Sequence, residues 1–406
     1  MRYQPSQQIL DRYADVLVNW ALGGGDGIKP GDVVLINAEE DAKPLMVAAA
    51  RAVWQAGGHV VTRLLPADDA DLSLERSFYE LASDEQIDFF PGKLLLGLVD
   101  QADHLLHITG ERDPKALASV DPGRMLRRQQ SYTPLIEAQN AKEGAGKLTW
   151  TIGQYGTEGM ADEAGMSIEE YWEQIIFACF LDAEDPVARW REAAAQIAES
   201  RDRLNALPIE RLHMVGEDAD IWFTLGEKRQ WIGGGGRNVP SFEIFTSPDW
   251  RGTSGWIRFS EPLYAHGQLI KNVELEFRDG LVVRATASEN EELLKQIIGA
   301  ENGNRVGEFS LTDGRISRIT RFMASTLYDE NVGGPFGNTH VAVGMSLRNT
   351  YDGDQEDVTE EQWEALGYNS SAVHQDIVST ADRTVTAVLT DGSERVIYSG
   401  GRFQLD

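Results

Sequence analysis

Gly31-Asp-Val-Val-Leu-Ile-Asn37, Pro44-Leu-Met-Val-Ala-Ala-Ala-Arg-Ala-Val-Trp-Gln-Ala56 and His59-Val-Val-Thr-Arg-Leu-Leu65 decide the first half of the fold. The first stretch leaves a Lys-Pro-Gly turn as a run of β-branched and aliphatic residues, which is strand composition. The second carries an apolar stripe at helical spacing, is rich in alanine and stops at Gly57-Gly58, where glycine suits a helix end. The third returns to strand composition. Such a β-α-β unit joins parallel strands through a right-handed crossover.

Working outward, His104-Leu-Leu-His-Ile-Thr109 and Leu148-Thr-Trp-Thr-Ile152 add two more strands, separated by helical and polar stretches such as residues 114–130. Ser167 and Glu170 have the spacing of a capping box at the head of a helix. The break Leu181-Asp-Ala-Glu-Asp-Pro186 then serves as a linker. The expectation is a doubly wound α/β domain over residues 1–186. No G-x-G-x-x-G follows the first strand, and Ala38-Glu-Glu-Asp41 puts carboxylates where a phosphate needs backbone donors. A nucleotide site is therefore not expected there.

Residues 187–406 read differently. After an amphipathic helix from Val187 to about Leu207 come short strands, among them Ile221-Trp-Phe-Thr-Leu225, Val273-Glu-Leu-Glu-Phe277 and Val385-Thr-Ala-Val-Leu389. Asp279-Gly280 and Asp391-Gly392 are hairpin signals. This half is expected to be an α+β, strand-rich domain. Gly233-Gly-Gly-Gly236 lacks the Lys-Ser/Thr partner of a phosphate loop, so a close-packed turn beside the neighbouring strand is expected.

At 406 residues the chain suits two domains, and 42% hydrophobic with 9% aromatic residues is a folded composition. A formal net charge of -28 argues against nucleic acid and acidic membranes as partners, since both would be repelled. The polar start and the lack of an apolar run of about 18 residues give the expectation of a cytoplasmic protein. The single cysteine, Cys179, lies in an apolar helical stretch and is expected in the core. The acidic excess, with arginine well ahead of lysine, suggests a salt-adapted surface as a hypothesis.

The second half also gathers metal-ligand side chains in strand-like stretches: Glu243, Glu308, His340, His374 and Asp376. Burying such groups without partners is costly, and a pair of cations would be a partner. His374 and Asp376 are two apart, so on a strand they point to the same face. In Val239-Pro-Ser-Phe-Glu-Ile-Phe245, Phe242 and Ile244 would take one face, Ser241 and Glu243 the other. His340 opens a strand through Gly344, with Val341 and Val343 facing away from it. Glu308 fits the alternation less cleanly. Three carboxylates and two imidazoles suit zinc, cobalt or manganese better than calcium or magnesium. Each residue also has a bland reading, such as Glu243 paired with Arg237 or Arg251, or Glu308 with Arg305.

The text around these residues resembles the aminopeptidase T, AmpS and PepS family of metallo-aminopeptidases. The matching segments are Gly236-Arg-Asn-Val-Pro-Ser-Phe-Glu-Ile-Phe-Thr-Ser-Pro-Asp249, Gly307-Glu-Phe-Ser-Leu-Thr-Asp313, Gly337-Asn-Thr-His-Val-Ala-Val-Gly344 and His374-Gln-Asp376. The resemblance implies two divalent metal ions (zinc, cobalt, manganese or magnesium) on Glu243, Glu308, His340, His374 and Asp376, with Glu308 bridging. It further implies release of the N-terminal residue from short peptides, and a homodimer. Two positions depart from the family. Where members carry a glutamate five residues before the histidine this chain has Pro335, with Glu330 as a stand-in. Where they carry a tyrosine seven residues after it, this chain has Leu347, with Tyr351 as a catalytic stand-in. Two rival readings follow: a peptide-binding or regulatory protein with weakened catalysis, and a metal-free hydrolase using Glu243 and Glu308 as acid and base.

Overall fold

A computed structural model describes residues 3–69, 71–355 and 358–406. The chain divides into two compact units, the first formed by Met1–Ala194, Gly235–Ser241 and Arg321–Tyr328, the second by the remainder.

The first unit is built on a parallel four-stranded sheet in the order His59–Leu65, Val33–Glu39, His104–Thr109, Thr149–Gln154. Val33–Glu39 is flanked on both sides and buries Val34, Leu35, Ile36 and Ala38, which is why it carries an almost unbroken apolar run. The crossover helix, Lys43–Gln55, begins with Pro44 in its first turn, where the missing N–H costs nothing, and buries Leu45, Ala48, Ala49, Ala52 and Val53. The Ser167 and Glu170 capping box forms as the spacing indicates, at the head of helix Ile168–Ala178. Cys179 is buried, with its sulfur 3.5 Å from the Tyr328 hydroxyl. Among the described residues no helix is long and apolar enough to cross a membrane.

The second unit holds an antiparallel eight-stranded sheet and an antiparallel four-stranded sheet. Both Asp-Gly steps lie in hairpins, and at Asp279-Gly280 both residues have the positive φ that favours this pair. The four-stranded sheet runs in the order His374–Ser379, Asn338–Gly344, Val306–Thr312, Glu243–Thr246. Directly opposed residues of an antiparallel pair share a face, so register assigns the faces. Phe309, Leu311, Val341, Val343, Ile244 and Ile377 fall on one side. Phe309 there meets Phe223 of the larger sheet, with ring centroids 4.9 Å apart, and Trp231 at 6.1 Å. Each such buried aromatic contributes on the order of 2 kcal/mol. Glu243, Glu308, Ser310, His340, His374 and Asp376 fall on the opposite side.

That opposite side is not a solvated one. Every residue of Val306–Thr312 and of Asn338–Gly344 is buried. Alternation along these strands separates an apolar face from an enclosed polar one.

Candidate metal centre

Each of the four strands brings its acid or imidazole to the shared face, and the register decides how close they come. His340 lies opposite Ser310, while Ala342, two residues on, lies between Glu308 on one neighbouring strand and Asp376 on the other. A methyl group at that central position leaves room between two carboxylates. Gly344 lies opposite His374 in the same row. The Glu308 strand is bulged at Gly307: Val306 pairs with Val343 and Glu308 with Ala342. A Cβ at Gly307 would sit 2.3 Å from the Met345 carbonyl oxygen, so only glycine admits that close approach. The same Met345 carbonyl accepts a hydrogen bond from His374 Nδ1 at 2.8 Å. Its role is to hold the ring with Nε2 turned to the carboxylates.

The polyglycine turn serves the other end of the sheet. A Cβ at Gly233 would lie 2.5 Å from the Glu243 carbonyl oxygen, which is the close packing expected of that turn. The Glu243 strand starts later than alternation from Val239 suggests, at Glu243 itself; Pro240 has no N–H to give a ladder. Ser310 donates its hydroxyl to Glu243 Oε2 at 2.9 Å.

His340 Nε2 lies 3.2 Å from both Glu308 Oε1 and Glu243 Oε2, and 3.9 Å from Asp376 Oδ1. His374 Nε2 lies 3.4 Å from Glu308 Oε2 and 3.5 Å from Asp376 Oδ1. Among the described residues two donor groups emerge, Glu243 with Glu308 and His340, and Glu308 with His374 and Asp376; within each group the ligand atoms lie within 4.8 Å of one another. Glu308 belongs to both, one oxygen toward each imidazole. A tetrahedral cation with bonds of about 2.05 Å to nitrogen and oxygen sets its ligand atoms about 3.3 Å apart. The four imidazole–carboxylate separations that lie within a group match that edge, so the residues fit a cation in each group.

Electrostatics point the same way. Burial works against the His340 imidazolium, but hydrogen bonds and charge from Glu243 and Glu308 outweigh it and hold its pKa well above the ordinary histidine value. His374 is raised likewise against burial, by Asp376 and Glu308. Burial raises Glu243, whereas for Asp376 the charge of His374 overcomes burial and lowers it. Crowded acids thus draw positive charge to the centre, protons or metal. His340 is the most enclosed side chain, at 1% exposure, and His374 the least, at 21%. The centre opens on the His374 side.

The thermophilic metalloprotease (M29) family matches the chain over residues 6–403. The chain belongs to that family. Aminopeptidase T of Thermus thermophilus is 28% identical to this metalloprotease over 418 residues, covering 97% of the chain and 98% of that protein. Aminopeptidase PepS of Streptococcus thermophilus is 25% identical over 413 residues, covering 97% of each. The solved structure of wild-type AmpT from Thermus thermophilus aligns with a TM-score of 0.81 at 24% identity, over 98% of this chain and 99% of that one. The fold is therefore that of AmpT: a parallel α/β sheet followed by antiparallel sheets.

The two departures of this metalloprotease now have places. Pro335 is on an exposed turn inside the glycine-rich Gly333–Gly337 segment that leads into the His340 strand, so counting back five residues from His340 lands in that turn. Glu330 is buried, and its carboxyl is pushed well above the ordinary carboxylate range, first by burial and then by the charges of Glu243 and Asp376. Its charge thus interacts with those of the ligand candidates. Leu347 has no polar side-chain group to offer; its backbone N–H donates to Ser247 Oγ and its carbonyl accepts from Thr350. Tyr351 is placed elsewhere: it packs against Trp363 and Tyr368, and its hydroxyl accepts from Lys228 Nζ at 3.2 Å. The five ligand candidates come together; the Tyr351 side chain contacts Trp363, Tyr368 and Lys228.

Proposed function

We propose that this metalloprotease is an aminopeptidase that removes the N-terminal residue of short peptides with a pair of divalent cations, held by Glu243, Glu308, His340, His374 and Asp376. The observation that carries this reading is Glu308, whose two oxygens face the two imidazoles at 3.2 and 3.4 Å. Charge favours a pair: Glu243, Glu308, Glu330 and Asp376 sum to four negative charges when ionised, which two divalent ions would balance. Bound there, zinc, cobalt, manganese or magnesium would polarise the scissile carbonyl and acidify water.

The chain's own groups do the rest. Met345 and Ser310 fix the orientation of His374 and Glu243. Glu330, a buried carboxyl whose proton affinity is raised by burial and by its acidic neighbours, is suited to take a proton from water and return it to the leaving amine. A peptide enters from the His374 side, and its free amino group meets the acidic cluster, which sets cleavage at the first bond. The boundary at residue 186, a cytoplasmic setting and a homodimer belong to the same reading. Exposed Leu72, Leu74, Leu81, Phe89 and Leu94 of the first unit offer a second copy apolar surface to cover.

A panel of aminoacyl-amide reporters, assayed before and after EDTA and after adding back each metal, tests the reading. Turnover should vanish with chelation and return with metal. Turnover that resists EDTA would favour the metal-free acid and base pair. Metal binding without turnover would favour the peptide-binding reading, to which Leu347 lends the one specific observation of a missing phenol.

A further inference from the structure

Asn331 is fully buried, and its side chain touches two things that matter to the centre. Its Oδ1 accepts the Phe242 N–H at 2.6 Å, and its Nδ2 donates to Glu330 Oε1 at 3.3 Å. The amide cannot be turned over, because a backbone N–H only donates and needs the oxygen opposite it. Phe242 immediately precedes Glu243. One side chain therefore ties the Glu330 carboxyl to the start of the strand that carries a ligand candidate.

We propose that Asn331 is a positioning residue for the Glu330 carboxyl, an inference that rests on the aminopeptidase reading above. Its backbone is anchored in turn, since Ser317 Oγ donates to the Asn331 carbonyl at 2.6 Å. Asn338, which heads the His340 strand, adds a second tie by donating Nδ2 to the Glu330 carbonyl at 2.9 Å. Glu330 is thus located against the strands of both Glu243 and His340. Nδ2 can only donate, so Oε1 is committed as an acceptor and the carboxyl is oriented by that contact. A neutral amide achieves this without adding a fifth charge to four crowded carboxyls.

The test is Asn331→Asp, which keeps shape and the acceptor for Phe242 but replaces the donor with an oxygen. With full-length protein and an aminoacyl-amide reporter, kcat should fall roughly 10- to 100-fold while KM and metal content per chain stay near wild type. In a Glu330→Gln background the same substitution should have little further effect, because its target is already altered. Asn331→Ser, smaller and lacking the donor's reach, should behave alike. An unchanged kcat, or a loss that persists undiminished in the Glu330→Gln background, overturns the role. Failure of both Asn331 variants to give folded protein overturns it too, by making the residue structural. A wild-type protein that releases no amino acid would instead overturn the enzyme reading itself.

Discussion

Replacing His374 by alanine removes one donor from the second group and leaves Glu243, Glu308 and His340 in place. The fold should tolerate it: the side chain is 21% exposed and its one backbone partner is the Met345 carbonyl. Losing that hydrogen bond costs on the order of 1 kcal/mol. Metal affinity should suffer more. If about 12 kcal/mol of binding is spread over four ligands, each supplies about 3 kcal/mol, a factor of roughly 150 in affinity. After dialysis against a free zinc or cobalt level that just saturates wild type, elemental analysis should therefore show the variant short of metal. Turnover should fall at least as far. Wild-type metal content with wild-type turnover would refute the assignment of His374; loss of the folded state would refute the claim that its main partner is a cation.

pH should act in opposite directions with and without metal. His340, His374, Glu243 and Glu330 all have folded-state pKa values raised above their unfolded ones. The stability they contribute to metal-free protein is complete at low pH and lost as pH rises through the raised values; Asp376, lowered, is lost only in acid. The melting temperature of chelated protein should therefore decline as pH climbs above about 6.5, the unfolded histidine value, while metal affinity rises; a metal-free melting temperature that climbs would refute this. Gly307→Ala should destabilise by about 1–3 kcal/mol and lower metal content, because its Cβ displaces the Met345 carbonyl that aims His374; unchanged melting and metal content would count against that packing. Tyr351→Phe removes only the Lys228 contact and should leave turnover within about twofold of wild type, a loss no larger than one peripheral hydrogen bond allows; a large fall in kcat would return Tyr351 to the chemistry. With a net charge of -28, stability should rise from low to molar salt as self-repulsion is screened, and a flat response would remove the salt-adaptation hypothesis.

Legibility followed the kind of signal each element carries. The β-α-β unit was readable because strand and helix periods differ so plainly between Val33 and Leu65. His374 and Asp376 were readable as neighbours because period two needs no partner strand. Glu308 was harder: the extra residue at Gly307 moves its register by one, and a bulge leaves no mark on alternation. Convergence of four strands on one face depends on pairing order, which local pattern does not contain, so resemblance supplied it. Glu330 was hidden by the exposed turn around Pro335, which breaks any fixed count back from His340. Ser310 did have a signal, since it follows Glu308 by two and must share its face. Asn331 and Asn338 had none, because the contacts that matter, the Phe242 N–H for one and the Glu330 carbonyl for the other, are to backbone groups, and no residue type marks those.

Anomalous diffraction from crystals grown with zinc or cobalt, recorded at the edge of that metal, tests the central claim most directly. Two peaks about 3.5 to 4 Å apart, one on each side of the Glu308 carboxylate, are the expected result. No peak there, or peaks held by other residues, would contradict it.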